Sequence, residues 1–122
     1  MTQTDTIFAL SSGQPPAGIA IIRISGPEAG RVLDVLAGGR PEPRQAVYRR
    51  FRGVGGAPLD DGLALWFPGP KSATGEDLAE LQVHGGRAVV AAVLNALGRM
   101  ESCRPAQAGE FTRRALENGR ID

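Results

Sequence analysis

The period of apolar and polar positions changes several times along the chain, and the changes mark its elements. Residues 5–12 and 18–25 are β-rich apolar runs that predict two strands. They are joined by Gly13-Gln14-Pro15-Pro16-Ala17, whose prolines cannot donate to a sheet ladder. The second run has almost no polar alternation, the pattern of a central strand, yet Arg23 interrupts it. A guanidinium in a buried strand needs an anionic partner, either a protein carboxylate or a ligand anion. Residues 27–38 predict a helix, with Pro27 at its first position, Glu28 in its first turn, and Ala29, Val32, Leu33 and Leu36 on one face.

Residues 46–52 predict a third strand, and 53–58 are turn material leading to Asp60-Asp61. Beside a Gly-Pro turn these two carboxylates read as solvated rather than as an acid/base pair. Residues 62–67 predict a strand that is apolar on both sides, with Leu63, Leu65 and Phe67 opposite Ala64 and Trp66, and so belong to core or interface. Residues 68–77 lack periodicity and read as a projecting loop. Residues 78–84 alternate cleanly, placing Glu80, Gln82 and His84 on one face with Leu78. Gly85-Gly86 leads into a helix that runs to Gly98, with Val89, Val90, Val93, Leu94 and Leu97 along one side. A last helix over 109–118 puts Phe111 and Ala115 on one side and stops at Gly119.

A length of 122 residues fits one domain, and a net charge of +1 gives no field of the kind that drives nonspecific nucleic-acid binding. Any RNA contact must be local. The cluster Arg44, Arg49, Arg50 and Arg52 could meet phosphates, but its default reading is a strand edge protected against sheet-to-sheet pairing. The single Cys103 cannot form an internal disulfide and reads as a buried structural thiol. No signal-peptide pattern and no membrane-length apolar stretch is present, so the expectation is a soluble, cytoplasmic protein. Gly69-Pro70-Lys71-Ser72 matches only the end of a phosphate loop at the wrong spacing, and one histidine with one cysteine cannot close a tetrahedral metal site. His84 could act alone as a general base, but at a strand end beside Gly85-Gly86 it reads as a structural hydrogen-bonding residue. No residue is assigned a catalytic role. The candidate constellation is Arg23, Glu80 and Arg120, for which spacing alone favours an internal Arg23–Glu80 ion pair with Arg120 solvated.

Several segments occur in a fixed order: Ile21-Ile22-Arg23-Ile24-Ser25-Gly26-Pro27, Gly62-Leu63-Ala64-Leu65-Trp66-Phe67-Pro68-Gly69-Pro70, Thr74-Gly75-Glu76-Asp77, Glu80-Leu81-Gln82-Val83-His84-Gly85-Gly86 and Pro105-Ala106-Gln107-Ala108-Gly109-Glu110-Phe111-Thr112-Arg113-Arg114-Ala115. With Asp5-Thr6-Ile7 ahead of them, they cover essentially the whole chain, which resembles the amino-terminal domain of the MnmE (TrmE) family of tRNA-modifying GTPases. The resemblance implies an α+β fold, a mixed sheet with flanking helices, like the tetrahydrofolate-binding domain of aminomethyltransferases. It implies a homodimer that binds 5-formyltetrahydrofolate, with Arg23 and Glu80 at folate-contact positions and Arg120 where the family often has lysine. Two loops depart from the family pattern, the opening Ser12-Gly13-Gln14-Pro15-Pro16-Ala17-Gly18 and Pro105-Ala106-Gln107-Ala108-Gly109. The resemblance further implies that residues 1–122 form the folate-binding and dimerisation domain, without the helical and GTPase domains. GTP, Mg and K would then belong to the missing GTPase domain, and this chain would have no GTPase activity of its own. With its FAD-containing partner MnmG, the family modifies C5 of the wobble uridine of tRNA with an aminomethyl or carboxymethylaminomethyl group.

Two other readings compete. One is a purely structural dimerisation module, in which Arg23 and Glu80 pair internally and Trp66 with Phe67 builds the interface. The other is a stand-alone aminomethyltransferase-like enzyme, for which the chain is short.

Overall fold

The strands are laid out by alternation, and the helices by the apolar stripes between them. The computed structural model describes residues 5–121. In chain order the elements are β1 (Thr6–Leu10), β2 (Ala17–Ser25), α1 (Ala29–Leu36), β3 (Val47–Arg52), β4 (Pro58–Phe67), β5 (Leu78–Gly85), α2 (Arg87–Gly98), β6 (Cys103–Pro105) and α3 (Glu110–Glu117). One sheet of order β3-β4-β5-β2-β1-β6 contains all the strands. Every pairing is antiparallel except that of β1 with β6. The fold is therefore α+β with a mixed sheet.

One face of the sheet carries the core. Phe8, Ile22, Ile24, Phe51, Ala64, Trp66, Ala79, Leu81 and Val83 all point to it, and Val32, Leu33 and Leu36 of α1 with Val90, Val93 and Leu97 of α2 close over them. This is the cost-lowering arrangement for a sheet whose strands offer apolar side chains on that side throughout. The Arg40 guanidinium lies over the Trp66 ring, 5.3 Å from its centroid, while bonding Asp34. The opposite face is left uncovered by α1 and α2, with α3 beside its β1 end. It presents Arg23, Glu80, Gln82 and His84 beside half-buried Ile21, Leu63, Leu65 and Phe67, with Ile19 and Tyr48 exposed.

The expected elements are present, with three physical corrections. β4 begins at Pro58, not residue 62, so Asp60 and Asp61 lie in a strand rather than a solvated turn. Asp61 faces Arg50 across the β3–β4 pair, and Asp60 bonds His84 of β5. The segment 68–77 does not project: Ser72 and Thr74 are buried, and Thr74 and Glu76 both bond Ser25 of β2. α1 starts two residues after Pro27, with Glu28 as its N-cap and the Glu28 N–H donating to the Thr6 hydroxyl at 2.7 Å. Cys103 falls in β6 and is partly buried; burial, and then the nearby Glu28 charge, push its thiol up to about 11. No described helix is long and apolar enough to cross a membrane.

Candidate binding site on the open sheet face

The site grows from one register position. β2 and β5 pair so that Arg23 stands directly opposite Glu80, and both side chains point to the open face. Arg23 Nε donates to Glu80 Oε1 at 3.3 Å. Gln82, two residues along β5 on the same face, donates its amide to Glu80 Oε2 at 2.7 Å. Each carboxylate oxygen thus has one donor within the fold and keeps acceptor capacity for more. Glu80 is almost fully buried, whereas the Arg23 side chain is 45% exposed. The expectation of a buried Arg23 is corrected by this geometry, since the residue turns onto the face opposite the α1–α2 core, beside α3. Its two terminal amino groups make no hydrogen bond to a described residue and remain available to an anion.

Arg23 lines a cleft of about 380 Å³. Ala9, Leu10 and Leu78 contribute its sheet side, Phe111, Thr112 and Ala115 its α3 side, and Ala73 with Thr74 the loop side. Most of these groups are apolar, with a few polar ones, the composition usual for a small-molecule site. Glu80 borders the cleft as the cross-strand neighbour of Arg23 and the same-face neighbour of Leu78 on β5. Arg120 is not in contact with the other two. It lies just past α3, its side-chain stem against Gly75, the neighbour of cleft residue Thr74. The structure therefore brings Arg23 and Glu80 together and leaves Arg120 outside the cleft lining, beside Gly75 and next to cleft residue Ile121.

The walls are held by a polar network that reasoning from the sequence missed. Glu110, fully buried, receives both terminal nitrogens of Arg104, at 2.9 and 2.6 Å, and the Gln107 N–H at 2.9 Å. The Arg104 hydrogen bonds outweigh burial and hold the Glu110 carboxyl down at about 2. Arg114, one turn along α3, donates to the Asp5 carbonyl at 2.8 Å and to Glu76 at 3.1 Å. Glu76 in turn accepts from Ser25 at 2.8 Å. The helix that forms one wall is thereby tied to β1, β2, β6 and the 72–77 loop. The only sequence signal was that Glu76, Glu110 and Arg114 fall inside segments that carry the family resemblance; Arg104 falls in none.

Other candidates resolve more simply. His84 Nδ1 sits 3.0 Å from both Asp60 oxygens, and its backbone N–H donates to the same carboxylate at 2.8 Å. Burial alone would push the Asp60 carboxyl up, but the two His84 hydrogen bonds together bring it below its ordinary range. The structural reading of His84 accounts for these bonds. In the arginine cluster, Arg50 pairs with Asp61 at 2.9 Å, Arg52 donates to the Gly56 carbonyl at 3.1 Å, and Arg44 to that of Lys71 at 2.7 Å. Three of the four are committed to their own chain at a sheet edge.

An α+β domain whose sheet face carries an oriented carboxylate, a guanidinium with uncommitted nitrogens and a mostly apolar cleft has the make-up usual for a small-molecule site. The family model described as GTP-binding protein TrmE N-terminus matches residues 6–120. Relatives named tRNA modification GTPase MnmE are 65% identical over 122 residues in Rhizorhabdus wittichii, covering 98% of this chain and 28% of that protein. Those of Methylorubrum populi and Rhodopseudomonas palustris (strain BisB18) are 61% and 56% identical, covering 97% and 99% of this chain and 27% of each relative. The chain belongs to the TrmE amino-terminal family, whose model matches nearly its whole length. It spans little more than a quarter of the length of these curated relatives.

Proposed function

We propose that this domain binds 5-formyltetrahydrofolate in the Arg23 cleft and dimerises through its open sheet face. The observation that carries the reading is the Arg23–Glu80 pair: one arginine nitrogen orients the carboxylate while the other two stay available at the cleft. A reduced pterin presents an amino group and a ring N–H on one edge, and a single carboxylate can accept both. Glu80 suits that role, held by Arg23 and Gln82 from the protein side. Phe111, Leu10 and Leu78 offer apolar surface to the ring system, and Arg120 or the free end of Arg23 meets the glutamyl carboxylates. The cleft is of a size that holds a drug-sized ligand.

Dimerisation is supported by the uncovered face, where Ile19 and Tyr48 are 57% and 67% exposed next to Ile21, Leu63 and Leu65. Trp66 takes no part, being buried on the helix side, which removes half of the Trp66–Phe67 interface expected above. In this reading the domain serves a larger cytoplasmic protein. There a GTPase domain binds GTP, Mg and K, and with MnmG the whole modifies C5 of the tRNA wobble uridine, drawing on the folate one-carbon unit.

Calorimetric titration with 5-formyltetrahydrofolate tests it. The chain should bind saturably, and Glu80→Ala should weaken binding roughly 100-fold, the loss of two charge-assisted hydrogen bonds. Unchanged affinity in the variant would remove Glu80 from the site. A flat titration of a chain that light scattering shows to be dimeric would leave the purely structural dimerisation module.

A further inference from the structure

We propose that Asn118 and Gly75 are positioning residues for the cleft: together they fix Arg120 at its rim, ready for an anionic group of the ligand. The inference rests on the folate reading and assigns the glutamyl carboxylates to Arg120. Two independent observations carry it. Asn118 Nδ2 donates to the Thr74 carbonyl at 2.9 Å, tying the end of α3 to the loop that supplies Ala73 and Thr74 to the cleft. Gly75 has a φ of +82°, and a Cβ there would stand 2.6 Å from Asn118 Cβ and 3.2 Å from Arg120 Cγ. Only a residue without a side chain lets loop and tail meet so closely in that left-handed conformation.

The tail reaches this place by a defined route. α3 ends through Gly119 at φ +71°, and the Arg120 N–H donates back to the Ala115 carbonyl at 2.8 Å. The chain is thus turned across the helix end, and the Arg120 stem is laid on Gly75. Its guanidinium makes no hydrogen bond or ion pair with a described residue. An arginine whose backbone and stem are already fixed loses less freedom on meeting an anion, so part of its binding contribution originates in residues that never touch the ligand. Arg23 works differently, because its Nε is already committed to Glu80.

The test is a double-mutant cycle read by calorimetry. The chain, Asn118→Ala, Arg120→Ala and the double variant are titrated with 5-formyltetrahydrofolate and with its bis-amide, in which both glutamyl carboxylates are carboxamides. Asn118 is exposed, so its variant should retain the fold, which circular dichroism verifies. Arg120→Ala should weaken folate binding roughly ten-fold, the loss of one charge-assisted contact, and Asn118→Ala by somewhat less. The double variant should be no weaker than Arg120→Ala alone, and the bis-amide should bind all four proteins alike. Additive losses, or an Asn118→Ala loss that persists with the bis-amide, would overturn the positioning role. Failure of the unsubstituted chain to bind either compound would instead overturn the folate reading beneath it.

Discussion

Replacing Glu110 by Ala is expected to lower the free energy of unfolding by about 3–5 kcal/mol, the usual effect of removing one partner from a buried ion pair. Glu110 is fully buried, and its carboxylate meets Arg104 through two bonds and Arg114 through a third, at 3.4 Å. Without it, Arg114 keeps Glu76 and the Asp5 carbonyl, but a guanidinium only 4% exposed loses a counter-charge. Arg104 keeps Asp5 at 3.1 Å and is less affected. The same group sets a pH dependence. Its carboxyl is lowered from 4.5 to about 2 in the folded chain, so the unfolded chain binds the extra proton first as pH falls. The associated stability, about 3 kcal/mol, is fully present above pH 4.5 and is lost as pH falls toward 2. Urea unfolding at pH 7 and pH 3 should show a steep loss for the unsubstituted chain and a shallower one for Glu110→Gln. A loss under 1 kcal/mol for Glu110→Ala at pH 7 would mean that the network does not hold α3 in place.

How far the fold and site could be read from the sequence follows from how local the determining contacts are. Residues 78–84 alternate, and the structure puts Ala79, Leu81 and Val83 on the core side as that alternation requires; residues 62–67, apolar on both sides, did not say which face is core, and the structure puts Ala64 and Trp66 there. Once those faces are fixed, Glu80 must stand on the same side as Arg23, so their pairing was legible as one of two alternatives. The network under α3 was not. Arg114 bonds a carbonyl 109 positions earlier and a carboxylate 38 positions earlier, and no periodicity links them. The loop 68–77 failed for a related reason. Its polar residues look solvated in sequence, but Thr74 and Glu76 are paid in hydrogen bonds by Ser25, a polar residue in an apolar strand. Asp60 misled because its partner is the backbone N–H of His84, a group that every residue but proline owns.

That last contact explains the second large effect, expected for Gly62→Ala. The regular β4–β5 ladder runs from Phe67↔Leu78 to Leu63↔Gln82, and beyond it the His84 N–H goes to the Asp60 side chain. At the crossover Gly62 presses against the Gln82 carbonyl, and a Cβ there would collide with that oxygen and stand 3.1 Å from the Phe51 ring. The first obstacle is backbone in a central strand, and the second is a fully buried aromatic side chain. Neither can swing aside, so alanine must push β4 away from β5 or expel Phe51 from the core. The expected loss exceeds about 4 kcal/mol, beyond ordinary overpacking because the obstruction is main chain. In the folate reading proposed above, any folded fraction should also bind that ligand more weakly, since displacing Gln82 withdraws the amide that supports Glu80. Gly55→Ala is the matched control. It lies in the β3–β4 turn with nothing within 4 Å of a new Cβ, so its stability should stay within about 0.5 kcal/mol. If chemical unfolding found the two variants equally stable, β4 and β5 could not approach at Gly62 as closely as described, and the support of Glu80 by Gln82 would have to be sought in a different strand spacing.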